Sequence, residues 1–169
     1  MSAALQIRKA SVNDLTEIAS IYGFAVTNRQ TAHTHPPPFE YWNAWLKNHT
    51  GLFPAFVLIN EQEVTGFASI SPYREGRQAL EKVAEISYYL HPSSHGKGAG
   101  TFFVQKIIEQ AQSLGFNYLL AILLASNTAS IALLNKLGFE KWGELPGVAE
   151  FADDTVSHLY YGIRLRSGK

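Results

Sequence analysis

Cysteine is missing from the 169 residues of this chain, and methionine occurs once. The lack of thiols excludes a cysteine nucleophile, a cysteine-ligated zinc or iron–sulfur site and a disulfide framework. Net charge is missing as well, because 14 lysine and arginine residues balance 14 aspartate and glutamate residues. A dedicated nucleic-acid-binding protein carries a basic surface, so this balance argues against nucleic acid as a partner. The thiol-free composition fits a cytoplasmic protein, which is the location we expect.

Long apolar runs are also missing. The longest run, 118–125, is far shorter than the roughly 20 residues that span a bilayer. The first six residues show neither the basic nor the apolar region of a signal peptide. We therefore expect no targeting segment and no membrane partner. At roughly 150 residues per domain the length predicts a single domain over residues 1–169.

Hydrophobic periodicity predicts elements in the order β-α-α-β-β-β-α-β-α-β-β. Four helices are expected: one capped by Ser11 and ending near Asn28, then 39–46, 101–114, and one capped by Asn127 and ending at Leu137. Strands are expected at 6–9, 55–59, 64–70, 83–90, 118–124, 140–148 and 156–165. This order predicts an α/β (α+β) fold, a mixed sheet with helices on its faces and one parallel crossover through helix 101–114.

The segment from His91 to Gly100, HPSSHGKGAG, is the strongest local signal for ligand binding. It follows a predicted strand and opens a predicted helix, and its glycines let a ligand approach the backbone amides at the helix N-terminus. Such a site suits a pyrophosphate, although a tight strand-to-helix turn would need the same residues. The segment matches neither the nucleotide-binding loop Gly-x-x-x-x-Gly-Lys-Ser/Thr nor the dinucleotide fingerprint Gly-x-Gly-x-x-Gly.

Glu85 stands in the middle of a predicted apolar strand. Strand alternation places Glu85 on one face with Val83, Ser87 and Tyr89. A carboxylate in that position is costly unless it is paired, solvent-facing or functional. The sequence alone leaves open a general base, a structural ion pair and a solvent-facing residue.

Together these segments resemble the GCN5-related N-acetyltransferases. The resemblance is carried by 83–100, with the loop His95-Gly96-Lys97-Gly98-Ala99-Gly100, and by Asn127 followed by the segment 132–139, ALLNKLGF. The segments 71–74, SPYR, and 85–92, EISYYLHP, are similar to those of the phosphinothricin and methionine sulfoximine acetyltransferase subgroup. The similarity extends from Ile7 to Leu165.

The resemblance implies an acetyl-CoA-dependent N-acetyltransferase fold with assigned site residues. Glu85 would remove a proton from the acceptor amine, the N–H of Leu90 would stabilise the oxyanion, and Tyr73, Arg74 and Glu85 would bind the acceptor. Residues expected to bind the cofactor are Tyr88, Tyr89, Leu90, His95, Gly96, Lys97, Gly98, Ala99, Gly100, Thr101 and Asn127. No metal is expected, because the pair His33 and His35 lacks a third ligand.

Two positions depart from the family pattern. His95 stands where the family has Gln or Arg, and a neutral imidazole gives a pyrophosphate less charge than a guanidinium does. Leu134 stands where the family has Tyr, or His in this subgroup, so the family's proton donor to the leaving thiolate is missing. Tyr88, Tyr89, Tyr160 or water could take that role.

The function predicted is acetylation of a small amino-acid-like amine of the phosphinothricin or methionine sulfoximine type, by a homodimer. One alternative is an N-acetyltransferase for a polyamine or a protein N-terminus. The other is a degenerate acetyl-CoA-binding sensor or scaffold without turnover, which His95 and Leu134 motivate.

Overall fold

A mixed seven-stranded sheet organises this computed structural model, which describes residues 4–165. Its strands are β1 (Gln6–Lys9), β2 (Ala55–Asn60), β3 (Glu63–Pro72), β4 (Val83–Leu90), β5 (Tyr118–Leu124), β6 (Glu140–Glu150) and β7 (Thr155–Arg164). The spatial order is β1-β2-β3-β4-β5-β7-β6. Neighbours are antiparallel except for the parallel pair β4–β5, which is the crossover expected from the sequence.

Four helices cover the sheet: α1 (Leu15–Thr27), α2 (Phe39–Asn48), α3 (Ala99–Ser113) and α4 (Thr128–Lys136). The predicted order of elements is confirmed, with two shifted helix starts. Ser11 begins a 3-10 turn at 12–14, and α1 starts only at Leu15. Helix α3 starts at Ala99 rather than Thr101, because Gly98 adopts a left-handed conformation and turns the chain directly into the helix.

The two faces of the sheet carry separate hydrophobic cores. Helices α3 and α4 pack on one face, where Phe103 and Leu134 are fully buried beside Ile86 of β4. Helices α1 and α2 pack on the other face, where Ile18 and Trp42 are buried. Successive side chains of β4 therefore enter different surroundings, and this alternation decides which of them can share a site.

The sheet opens between its two parallel strands. The pairing of β4 with β5 joins Val83–Ile86 to Tyr118–Ala121. Both strands continue beyond this ladder, β4 to Leu90 and β5 to Leu124. The backbone edge of the second half of β4 therefore faces a gap rather than a neighbouring strand, while β3 still pairs with it on the other side.

Candidate functional site

A cavity of about 370 Å³ lies where the two strands diverge. It is bounded by the end of β4, the start of α3 and the start of α4. Most residues predicted to bind the cofactor line it, namely Tyr88, Tyr89, Leu90, His95, Gly96, Gly98, Gly100, Thr101 and Asn127. Lys97 and Ala99 are not among the lining residues, and the Ala99 side chain is buried in the core. Lys97 and Ala99 could therefore contact a ligand only through their backbone N–H groups.

The glycine loop gives this cavity the shape of an anion site. Gly96 and Gly98 have φ values of +72° and +77°, which are unfavourable for residues with a Cβ. A Cβ built on Gly98 would meet no atom within 4 Å, so the loop is open on its ligand side. The unpaired amides of the first turn of α3 begin directly after it.

The backbone of Leu90 is directed into the gap. His91 N–H donates to Thr65 O of β3 at 2.8 Å, so strand alternation turns the N–H and C=O of Leu90 to the opposite edge. His95 confirms this direction, because its Nε2 donates to Leu90 O at 3.2 Å. The side chain of His95 is thus bound to the end of the strand, and the N–H of Leu90 is directed to the place expected of an oxyanion donor.

Tyr88 brings a buried hydroxyl to the same cavity. Its oxygen is inaccessible to solvent and makes no hydrogen bond of normal geometry with any described residue, although Ser130 of α4 lies nearby. Burial raises the pKa of Tyr88 to about 12, so the hydroxyl keeps its proton at any physiological pH. A buried hydroxyl without a regular partner is costly, and it becomes available to a bound group only where that group displaces the side chains that cover it.

Position 134 and the other two candidate tyrosines, Tyr89 and Tyr160, are placed differently from Tyr88. Leu134 is fully buried in the core, while Leu133 and Ser130 face the cavity. The ring of Tyr89 packs edge-on against Tyr22 on the α1 face, with 5.0 Å between ring centroids. Tyr160 lies on β7 beside His158 and does not line the cavity. Of the three tyrosines that sequence left open, Tyr88 and Tyr89 line the cavity, and the buried Tyr88 hydroxyl lies beside Ser130 of its wall.

Glu85 lies on the α1 face of β4, opposite Ser71 of β3 and Leu120 of β5. Burial raises the pKa of the Glu85 carboxyl above its ordinary value, and its charge contributes to the raised pKa of Tyr89. None of the ion pairs within residues 4–165 includes Glu85. The structural ion-pair interpretation is therefore wrong. A partly buried carboxylate with a raised pKa has the properties of a general base.

Next to Glu85 the α1 face holds a second cavity of about 240 Å³, which the sequence analysis missed. Its walls are aromatic, and its floor is formed by serines at alternate positions of β3 and β4. The lining residues are Tyr22, Tyr41, Trp42, Trp45, His49, Phe67, Ser69, Ser71, Ser87 and Tyr89. The signal was the alternation of Ser69 and Ser71 with apolar residues in an otherwise buried strand.

Arg74 lies on the far side of this region. It lines an open cavity of about 750 Å³ together with His49, Ser71, Arg77 and Lys82. The guanidinium carbon of Arg74 lies 5.7 Å from the centroid of the Tyr73 ring. Tyr73 itself is not among the residues lining this cavity, and its N–H bonds the carbonyl of Val83 at 3.4 Å. Glu85 lines neither this cavity nor the aromatic one, but Ser71, which lies opposite Glu85 in the sheet, lines both.

Metal ligands are not grouped in the part of the chain that the structure describes: no three His, Cys, Asp or Glu side chains could hold a metal ion together. His33 bonds the hydroxyl of Tyr22 instead. Across residues 4–165 no helix is long and apolar enough to cross a membrane.

The model of the acetyltransferase (GNAT) family matches residues 15–139. The chain belongs to this family. The matched region contains the gap between β4 and β5, the glycine loop and Glu85, and the α/β mixed-sheet prediction is confirmed.

Three relatives indicate the range of chemistry nearby. An L-methionine sulfoximine/L-methionine sulfone acetyltransferase of Pseudomonas aeruginosa is 35% identical over 154 residues, covering 89% of this chain and 87% of the relative. A phosphinothricin acetyltransferase of Sinorhizobium meliloti in complex with acetyl-CoA superposes with a TM-score of 0.90 at 30% identity, covering 100% of this chain and 91% of the other. A ribosomal-protein-alanine N-acetyltransferase of Brucella melitensis superposes with a TM-score of 0.88 at 31% identity, covering 95% and 99%.

Proposed function

We propose that this chain is an acetyl-CoA-dependent N-acetyltransferase for the amine of a small amino-acid-like substrate. The observation that carries this proposal is the gap at the end of β4. The glycine loop opens on one side of it, and Glu85 with its buried carboxyl lies on the adjacent face. This arrangement offers separate approaches for the two substrates. One domain built on the seven-stranded sheet carries both.

The residues of the cavity fit acetyl-CoA. The amides of Gly96 to Thr101 would hold its pyrophosphate, and the edge of β4 with Asn127 would hold its pantetheine arm. Asn127 Oδ1 caps α4 by accepting the N–H of Ser130 at 3.2 Å, so the amide NH2 of Asn127 is left for a ligand. When bound, acetyl-CoA supplies a thioester whose acetyl group can be transferred.

Each protein group then has one task. Glu85, directly or through water, removes a proton from the acceptor ammonium so that the amine can attack. The N–H of Leu90 donates to the developing oxyanion. The Tyr88 hydroxyl donates a hydrogen bond to the departing sulfur. With a pKa of about 12 it stabilises a thiolate of ordinary pKa, roughly 8.5, without giving up its proton, and water completes the protonation.

The amino-acid class of acceptor is supported by Arg74 and by the named relatives. A guanidinium can bind a carboxylate or phosphonate through two hydrogen bonds, and Arg74 is exposed in a space large enough for such a group. The Pseudomonas aeruginosa and Sinorhizobium meliloti proteins act on methionine sulfoximine and phosphinothricin by name. We therefore propose phosphinothricin-like or methionine sulfoximine-like acceptors.

A protein N-terminus is the second candidate acceptor, because the Brucella melitensis relative is named for it. Release of the CoA thiol should be measured with acetyl-CoA and three acceptors: phosphinothricin, methionine sulfoximine and an alanine-terminated peptide. Turnover of the first two, with a raised KM in Arg74→Ala, would support the proposal. Preference for the peptide would favour the second candidate, and tight acetyl-CoA binding without any turnover would identify a sensor.

A homodimer is the assembly we propose. Strand β6 is the edge of the sheet, and Trp142, Leu145 and Val148 expose large apolar side chains on it. Exposed apolar edge strands favour pairing with another copy. Light scattering should give twice the chain mass, and charged substitutions at Trp142 and Val148 should yield a monomer. We also propose a cytoplasmic location, which cell fractionation would test.

A further inference from the structure

A hydrogen-bonded pair, His49 and Ser71, separates the aromatic cavity from the open cavity that holds Arg74. Both residues line both spaces. His49 Nε2 lies 3.1 Å from Ser71 Oγ, and His49 Nδ1 lies 2.7 Å from the carbonyl oxygen of Trp45. The imidazole is thus bound on both nitrogens, one from helix α2 and one from strand β3.

These two contacts define the tautomer of His49. A carbonyl oxygen can only accept, so Nδ1 carries the hydrogen and donates to Trp45. The Nε2 atom of the neutral ring therefore has a free lone pair and accepts the hydroxyl hydrogen of Ser71. The oxygen of Ser71 keeps its own lone pairs for a further donor. The pair can accept a proton at Ser71 and deliver one at His49.

Ser71 is the direct neighbour of Glu85 across the β3–β4 ladder. Side chains directly opposite each other in an antiparallel pair have Cβ atoms about 4.5–5.5 Å apart. A carboxyl and a hydroxyl can span that separation directly or through one water molecule. The order Glu85, Ser71, His49 then continues to the open cavity of about 750 Å³, which reaches solvent.

We propose that Ser71 and His49 form a proton relay that returns Glu85 to its ionised state after each acetyl transfer. This assignment rests on the proposed function. The acidic hydrogen of Glu85 passes to Ser71 Oγ while the Ser71 hydroxyl hydrogen passes to His49 Nε2. This leaves a carboxylate, an intact hydroxyl and an imidazolium. The imidazolium then releases that proton to water in the open cavity, and no other bond changes.

The surroundings of the pair suit such a transfer. Burial lowers the pKa of His49 and raises that of Glu85, which brings the two groups closer to a matched exchange than in water. The titratable groups facing the pair from the aromatic side are Tyr22, Tyr41 and Tyr89. Those on the open side are Arg74, Glu75, Arg77, Glu81 and Lys82. No carboxylate other than Glu85 stands opposite Ser71 in the sheet.

The first test needs no turnover. In nitrogen-15-labelled protein, the ring nitrogens of His49 should report the Nδ1–H tautomer, and Glu85→Gln should shift the His49 titration midpoint. Ser71→Ala should abolish that response to Glu85→Gln. A His49 titration unchanged by Glu85→Gln, or a response that persists without the Ser71 hydroxyl, would overturn the relay.

The second test uses kinetics with the exposed His35 as control. His49→Ala should lower kcat near pH 7 by about tenfold, less than loss of the base itself would, with the KM for acetyl-CoA unchanged. Added imidazole should restore kcat in His49→Ala, and the double variant with Ser71→Ala should be no slower than either single one. His35→Ala should match the wild type. A loss that imidazole does not rescue would indicate a structural role. Absence of turnover by the wild type with every acceptor would instead overturn the proposed function, while the nitrogen spectra still decide the relay.

Discussion

Replacing Glu85 by glutamine should have opposite effects on activity and on stability. The substitution keeps the size of the side chain and removes its charge and basic oxygen. Loss of a positioned general base costs about 10²–10⁴ in rate, which corresponds to roughly 2.7–5.4 kcal/mol of transition-state stabilisation. The donor cavity lies beyond Glu85 along β4 and does not include it, so the dissociation constant of acetyl-CoA should stay unchanged.

The stability effect follows from the direction of the pKa shift. Burial raises the pKa of Glu85 in the folded chain, so the folded state binds this proton more tightly than the unfolded state does. Its contribution to stability is present below the unfolded pKa and is lost as pH rises through the folded pKa. Above the folded pKa the wild type has lost it, so Glu85→Gln should raise the melting temperature there. The gain should vanish near pH 4.

The assay is CoA thiol release between pH 6 and pH 9.5, with calorimetric melting of both proteins. For an amine that is mostly protonated at pH 7, the neutral fraction rises by up to about tenfold per pH unit, so high pH should partly rescue Glu85→Gln. Wild-type turnover of the variant at pH 7 would remove Glu85 from the mechanism. A lower melting temperature would show that the carboxylate has a stabilising partner, contrary to the absence of an ion pair between Glu85 and any residue in 4–165.

Five further substitutions test other parts of the site and fold. Gly98→Ala should weaken acetyl-CoA binding in calorimetry because φ is +77°, whereas Gly23→Ala, inside α1 with no atom within 4 Å, should stabilise the fold by about 0.5–1 kcal/mol. Leu134→Tyr should lower the melting temperature and leave kcat unimproved, because overpacking a filled core costs about 1–3 kcal/mol; a faster enzyme would contradict the buried position of Leu134. Tyr88→Phe should lower kcat by about tenfold, the worth of one hydrogen bond to a charged sulfur, without loss of stability in urea titration. Asp14→Asn should lower the free energy of unfolding by about 1.5–3 kcal/mol at pH 7, because Arg8 and Ser11 hydrogen-bond the buried Asp14 and lower its pKa. This contribution is present above the ordinary aspartate pKa and is lost as pH falls through the pKa of Asp14 in the folded state. Equal urea midpoints for both proteins at pH 7 would refute it.

Hydrophobic periodicity was sufficient to predict the order of helices and strands, because each of them buries one face that the sequence pattern reveals. The alternation in 83–90 correctly separated Glu85 and Tyr89 from Ile86 and Tyr88, which now lie against different helices. The start of α3 was misplaced by two residues because the left-handed conformation of Gly98 is a backbone property that the run of glycines does not locate.

The acceptor side was less predictable because its residues come from distant parts of the chain. His49 directly follows α2, and Ser71 lies next to the end of β3, 22 residues later. Ser71 opens the SPYR segment, but His49 belongs to no motif that the sequence offered. Their contact depends on how α2 packs on β3, which is a tertiary result. Trp42 is buried in the core, yet it also walls the aromatic cavity. One side chain thus serves both the core and the site.

The absence of a proton donor at position 134 is no structural reason to regard this chain as an acetyl-CoA-binding protein without turnover. Leu134 is part of the core, so α4 contributes packing at that point, and the polar groups proposed for the reaction lie on the sheet. Tyr88 and the edge of Leu90 lie in the gap, and Glu85 and Ser71 lie on the adjacent face, all on two hydrogen-bonded strands. Groups fixed on neighbouring strands keep their separation better than groups on loops. His95 adds to this rigidity, because its bond to the carbonyl of Leu90 holds the strand end at the start of the glycine loop. The His95 departure from the family pattern thus adds a structural contact at Leu90, the residue whose N–H we propose as the oxyanion donor.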